Sequence, residues 1–161
     1  MSGNLNTAQV FGNPIHLLAY GFGAGLSPKG PGTMGTLVAI PIYMMLMWLG
    51  SVPYGVFLAV GLVAGVYICG YTARAIGVDD PKQVVWDEVV GYLITMLGLP
   101  FGLLWIVAGF LLFRLFDIWK PWPICWLDRN VKGGLGIMLD DVVAAILACL
   151  LLNSALRLLK L

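Results

Sequence analysis

Long apolar runs separated by short charged segments govern what this chain can fold into. The runs cover about 36–49, 54–71, 89–113 and 139–159, and only the last carries charge, as Asp140, Asp141 and Arg157 near its ends. Hydrocarbon offers no water to satisfy backbone N–H and C=O groups, so such segments fold as helices that close their own hydrogen bonds. Composition agrees: 60% of residues are hydrophobic and 11% charged, against roughly 25% charged in soluble domains. The mean hydropathy is +0.94. The sequence predicts an all-α, polytopic membrane helical bundle of about four to five apolar helices, folded as a single domain over residues 1–161.

The first two runs fit a hairpin about Gly50-Ser51-Val52-Pro53, although the first is nearer 15 residues than the ~20 of a full span. The third is interrupted at Leu97-Gly98-Leu99-Pro100-Phe101-Gly102, where Gly and Pro break or bend a helix, and a short helical hairpin is preferred to one kinked span. The fourth has the length of a full span. On this map Lys29, the segment from Arg74 to Glu88 and the segment from Arg114 to Asp141 fall on one face, while the opposite turns carry no charge. Lys29, Arg74, Lys82, Arg114, Lys120, Arg129 and Lys132 all lie on that face, which the positive-inside tendency makes cytoplasmic. Arg157 and Lys160 dissent, and either end a span on the far side or belong to a helix lying along the surface. The N-terminal MSGNLNTAQVFGNP lacks the basic and apolar regions of a secretory signal, so the spans are expected in the mature protein.

Several chemistries are set aside by absences. A net charge of +1 without a basic run argues against nucleic acid. Cys69, Cys125 and Cys149 form no CxxC and read as buried thiols. His16 is the one histidine, which excludes two-histidine lipid phosphatases and His-rich metal sites. Cys125 has no Arg six positions on, no Asp-x-Asp pair occurs, the Walker order is missing, and the acids do not follow the membrane phosphatidyl transferase pattern.

What remains is a set of carboxylates at helix ends: Asp79-Asp80, Asp87-Glu88, Asp117, Asp128 and Asp140-Asp141. First-turn positions would let Asp87, Glu88, Asp140 and Asp141 complement helix dipoles. Capping alone does not explain why acids from three separate segments converge on one face. A hard divalent cation such as Mg²⁺ does, since it takes oxygen ligands and keeps waters for a phosphate. The densest mixture of signs is Phe113-Arg114-Leu115-Phe116-Asp117-Ile118-Trp119-Lys120-Pro121-Trp122-Pro123, read as an interfacial loop on an extended path. There Lys120 is either a surface partner of Asp117 or a cation beside a bound phosphate. Trp119, Trp122 and Trp126 suit an aromatic belt. The glycine-rich segment from Gly21 to Thr36 is either a membrane-entry turn or, through free N–H groups at a helix start, an anion cradle.

Four ordered segments, Leu26-Ser27-Pro28-Lys29-Gly30-Pro31-Gly32-Thr33-Met34-Gly35-Thr36, Val85-Trp86-Asp87-Glu88-Val89-Val90-Gly91, Phe113 to Pro121, and Met138-Leu139-Asp140-Asp141-Val142, resemble the signature of the phosphatidylglycerophosphatase A family. The resemblance covers roughly residues 20–150, with Thr36 where serine is common. It implies an all-helical, Mg²⁺-dependent bacterial enzyme of phospholipid biosynthesis. Such an enzyme hydrolyses phosphatidylglycerophosphate to phosphatidylglycerol and inorganic phosphate in the inner membrane, with its site facing the cytoplasm. Carried over by motif, Asp87, Glu88, Asp117, Lys120, Asp140 and Asp141 form the active-site group. The same five carboxylates are the metal ligands, with Asp80 as an additional candidate. Lys29, Thr33, Arg114 and Lys120 are the phosphate-binding candidates. The competing classes are a small transporter, which would carry ionisable residues mid-span, and a membrane scaffold.

Overall fold

A computed structural model describes residues 5–159. Among them no strand occurs, and the elements run α1 (Thr7–Gly12), α2 (Pro14–Ala19), a 3-10 turn (Gly21–Leu26), α3 (Pro31–Leu49), α4 (Ser51–Ile76), α5 (Trp86–Thr95), α6 (Leu103–Trp119), α7 (Ile124–Asn130) and α8 (Gly133–Leu159). Three of these, α3, α4 and α8, are long and apolar enough to cross a membrane. The helical membrane bundle is as expected, with a span count slightly below the four to five read from the sequence. The shortfall lies in the third apolar run, which is divided between α5 and α6.

Local chemistry explains the boundaries that the apolar pattern misplaces. Gly30 adopts the left-handed conformation at φ 57°, and Pro31 opens α3 as its first residue. A proline there has no N–H to lose and a preset φ, so the helix starts five residues before Thr36. Gly50 at φ 101° turns α3 directly into α4. The last helix begins at Gly133, ahead of the predicted Leu139, which places Asp140 and Asp141 two turns inside α8. Their dipole-capping role therefore fails, whereas Asp87 and Glu88 do occupy the first turn of α5. After α6, Lys120 takes a left-handed conformation at φ 46°. Pro123 caps the short α7, so the extended path expected across the two prolines is instead a turn into a helix.

The interior is α5, which packs against α3, α4, α6 and α8. Its ten residues rise only about 15 Å, half a hydrocarbon layer. Trp86 Nε1 donates to the carbonyl of Gly61, midway along α4, at 3.0 Å, and Tyr54 Oη donates to the Leu93 carbonyl at 2.6 Å. The Leu97–Gly102 turn therefore reaches the charge-free end of the bundle. There Asn153 Nδ2 of α8 donates to the Leu97 carbonyl at 2.9 Å, and Leu156 shares a cavity with Gly50 and Leu97. This contact settles the alternatives for the last helix: Arg157 lies at the far end of a span. Lys160 lies outside the described residues.

Helix lengths give the depth of the charged end. From Gly32 to Leu49 the rise is about 26 Å, and from Asp141 to Leu159 about 27 Å, against a hydrocarbon thickness of about 30 Å. By α3 and α8 the acids lie toward one hydrocarbon boundary, while α5, rising about 15 Å from its first turn to the opposite end, sets Asp87 and Glu88 deeper. The last turns of α4, with Arg74, project beyond that boundary and pack against α2, where His16 Nδ1 lies 3.0 Å from Thr72 Oγ1.

Candidate functional site

Four segments enclose a cavity of about 420 Å³ at that boundary. The first turn of α3 supplies Gly30, Pro31 and Gly32, and the loop before α5 supplies Asp80, Lys82 and Val84. Asp87 and Glu88 come from α5, Arg114, Asp117, Ile118 and Lys120 from the end of α6, and Asp140 and Asp141 from α8. Every acid carried over by motif, together with Asp80, Arg114 and Lys120, lines this one space. Lys29 is exposed and Thr33 half-buried on the first turn of α3, and neither belongs to the wall.

Three of the acids converge most closely. One oxygen each of Asp87, Glu88 and Asp141 lies within 4.8 Å of the other two. Asp87, Asp140 and Asp141 are 8%, 6% and 3% exposed. Asp87 Oδ1, Glu88 Oε2, Asp140 Oδ1 and Asp141 Oδ2 are buried and accept no hydrogen bond from the described residues. Buried carboxylate oxygens without donors are costly. Burial pushes the carboxyls of both Asp87 and Glu88 above the usual range, with the Glu88 and Asp141 charges adding to the effect at Asp87 and that of Asp117 at Glu88. A cation fits this donor set: hard oxygens, several unmatched lone pairs, and a spread close to the ~3–4 Å between ligand oxygens around Mg²⁺.

The basic residues are arranged differently from the sequence expectation. Arg114 Nη1 pairs with Asp117 one helical turn on and lies 3.6 Å from Glu88 Oε1. Lys120 does not pair with Asp117. Its Nζ donates to Asp128 Oδ1 at 2.6 Å and to Asp140 Oδ2 at 2.5 Å, tying α6 to α7 and α8. The left-handed turn at Lys120 is the cause, because it swings the side chain off the helix face that carries Asp117. Desolvation lowers the Lys120 pKa, but the hydrogen bonds to Asp128 and Asp140 outweigh it and the net shift is upward. At the rim, partial desolvation raises Asp80.

Gly32 makes the close approach of α3 possible. A Cβ added there would meet Glu88 Oε1 at 2.1 Å and Arg114 Nη1 at 3.1 Å. Pro31 has no N–H, Met34 N donates to the Gly30 carbonyl at 3.1 Å and Thr33 lies outside the wall, so within its first turn α3 offers the cavity the Gly32 N–H. Lys82 and Asp128 are the contributors that motif reasoning passed over. The sequence signals for Lys82 were its place among the seven cations of the charged face and its position five residues before Asp87, next to a proline.

Bundle and cavity define an integral membrane protein whose polar chemistry is gathered at the bilayer interface. The family model of phosphatidylglycerophosphatase A matches residues 17–156, and the chain belongs to that family. It is 51% identical over 137 residues to the phosphatidylglycerophosphatase A of Escherichia coli (strain K12), covering 84% of this chain and 80% of the relative. The Haemophilus influenzae protein of that name is 46% identical over 138 residues, covering 84% and 85%. A Bacteroides thetaiotaomicron relative named a putative phosphatidylinositol-3-phosphatase is 38% identical over 147 residues, covering 86% and 91%. No solved structure matches the chain.

Proposed function

We propose that this protein hydrolyses the terminal phosphomonoester of phosphatidylglycerophosphate, releasing phosphatidylglycerol and inorganic phosphate, at the cytoplasmic face of a bacterial inner membrane. The observation that carries the reading is the triad Asp87, Glu88 and Asp141, converging within 4.8 Å with unmatched buried oxygens beneath the charged end of the bundle. Family membership supports the lipid class, since two relatives bear the name of that phosphatase. The orientation rests on the seven cations on the site's side of the bundle.

Asp87, Glu88 and Asp141 would hold Mg²⁺, with Asp117 and Asp140 beside them in the same wall. When bound, the ion supplies Lewis-acid polarisation of the phosphate and acidifies the attacking water. The chain's own residues do the rest. Arg114, held between Glu88 and Asp117, presents a fixed guanidinium toward the cavity and offsets charge on the non-bridging oxygens. Lys120 keeps Asp140 in place and adds a second positive charge. Gly32 N–H, in the first turn of α3, donates to the anion. A carboxylate of the wall that does not hold the ion takes the proton of the attacking water and returns it to the glycerol oxygen as the bond between that oxygen and phosphorus breaks. Because diacylglycerol stays in the bilayer, the lipid need not be extracted.

The test is phosphate release by purified protein from phosphatidylglycerophosphate, with and without Mg²⁺. Phosphatidylinositol 3-phosphate serves as the alternative substrate suggested by the third relative's name. Mg²⁺-dependent release from the first lipid is expected. Absence of release from it, or release only from the second, would overturn the reading.

A further inference from the structure

Building on phosphatidylglycerophosphate as the substrate, we propose that Lys82 binds its phosphodiester, the phosphate that is not cleaved. Lys82 would thereby select lipids in which a phosphodiester and a terminal phosphomonoester are one glycerol apart.

Charge commitment is the first support. Three cations line the cavity. Arg114 is engaged by Glu88 and Asp117, and Lys120 by Asp128 and Asp140. Lys82 forms no ion pair among the described residues and is exposed on the rim. Six carboxylates face these three cations, so a substrate with two phosphates meets an excess of negative charge. The one cation not already neutralised is the natural station for whichever phosphate lies outside the acid cluster.

Depth decides which phosphate that is. The triad lies inside a hydrocarbon layer of about 30 Å, about 26 Å from the far end of α3 as measured from Gly32 and about 15 Å from the charge-free turn as measured along α5. A lipid's own phosphodiester sits outside that boundary, at headgroup height. For the terminal phosphate to reach Asp87, Glu88 and Asp141, the headgroup must fold back into the cavity, leaving the phosphodiester at the aqueous rim. Lys82 is on that rim, in the loop that descends to α5, whereas Asp87 is buried at its foot.

The loop is also built to hold Lys82 in place. Val84 N donates to the Pro81 carbonyl at 2.9 Å and Val85 N to the Ala19 carbonyl at 2.8 Å, bracketing Lys82 in a fixed turn. Gly25 packs so closely on the Gln83 carbonyl that a Cβ would stand 2.0 Å from the oxygen. A side chain on an anchored backbone loses less entropy when it closes on an anion.

Product inhibition separates the two phosphates, since phosphatidylglycerol retains only the phosphodiester and inorganic phosphate carries only the terminal group. With the full chain in mixed micelles and saturating Mg²⁺, Lys82→Gln should raise KM for phosphatidylglycerophosphate about tenfold and move kcat less than about twofold. Inhibition by phosphatidylglycerol should weaken by a similar factor and inhibition by inorganic phosphate should not. Lys82→Arg should restore most of the affinity. Weakened inhibition by inorganic phosphate instead, an unchanged KM, or a fall in kcat alone would each overturn the assignment. Were the wild-type protein to release no phosphate, the functional reading would fail separately. Lys82 would then be judged by whether Lys82→Gln weakens phosphatidylglycerol binding to the solubilised protein, and unaltered binding would overturn it.

Discussion

Adding a single methyl group at Gly32 should disable the site without touching a charge. The new Cβ would stand 2.1 Å from Glu88 Oε1, where ordinary contact needs at least 3.4 Å. Glu88 must therefore retreat by about 1 Å, and Arg114, 3.1 Å from the same point, must shift with it. Both atoms end flexible side chains, so the fold yields at little cost. Gly32 lies within the first turn of α3, where alanine is favoured over glycine by roughly 0.5–1 kcal/mol. Catalysis is less forgiving, because a 1 Å misplacement of a positioned group can cost about 10²-fold. Gly32→Ala is thus expected to keep its Tm and helix content while kcat/KM for phosphate release falls about 10²-fold. Gly55→Ala, on α4 with nothing within 4 Å of its Cβ, is the matched control and should keep full activity. A folded Gly32→Ala enzyme with wild-type kcat/KM would falsify the placement of Glu88 and Arg114 at the reacting phosphate.

Asp87→Asn and Asp141→Asn should abolish phosphate release with helix content intact, and Mg²⁺ should raise the Tm of the wild type but not of either variant. A ligand at a hundredfold excess over its Kd stabilises by about 2.7 kcal/mol, which differential scanning fluorimetry resolves, so equal Mg²⁺ shifts in all three would remove these acids from a metal site. Lys120→Ala strands Asp140, 6% exposed, without its cation and should cost on the order of 2 kcal/mol of stability. Asp140→Asn in the same chain should recover part of that loss, and an unchanged Tm in Lys120→Ala would show the pair to be dispensable. With Cys69, Cys125 and Cys149 replaced, an impermeant thiol reagent applied to intact cells should label Ser51→Cys and spare Lys132→Cys, and the reverse pattern would invert the topology.

Much of the site was legible because its chemistry is written in local motifs. Asp87-Glu88, Asp117 and Asp140-Asp141 each stand where an apolar run meets polar sequence, and the requirement to keep charge out of hydrocarbon places all three segments at one end. The break at Gly98 to Gly102 was equally readable, since a proline flanked by two glycines disrupts a helix more than the lone Pro41 that α3 accommodates. Pairing was not. Asp128 and Asp140 take Lys120 from its sequence neighbour Asp117 because one residue, Lys120, adopts a left-handed turn that no residue pattern announces. Helix starts failed for a related reason: Gly30-Pro31 and Gly133-Gly134 look like loop sequence, yet act as the cap and first turn of spans. The small helices α1 and α2 left no apolar run to find. They are held by specific contacts, such as the Asn13 side chain accepting from Ile15 N at 2.9 Å and His16 against Thr72.

The acid cluster is carried by α5 and α8 and packed against the start of α3, and both α3 and α8 run without interruption to the opposite surface. Its height above that surface is therefore a property of the protein, while the height of the lipid headgroups belongs to the membrane. The molecule acts as a gauge whose jaws are about 26 Å apart. In a bilayer a few ångströms thicker the bundle must stand more upright or pinch the lipid around it, and in a thinner one it must lean. Fatty-acid chain length, a quantity set far from this pocket, is in this way coupled mechanically to how far a headgroup must bend to meet its carboxylates.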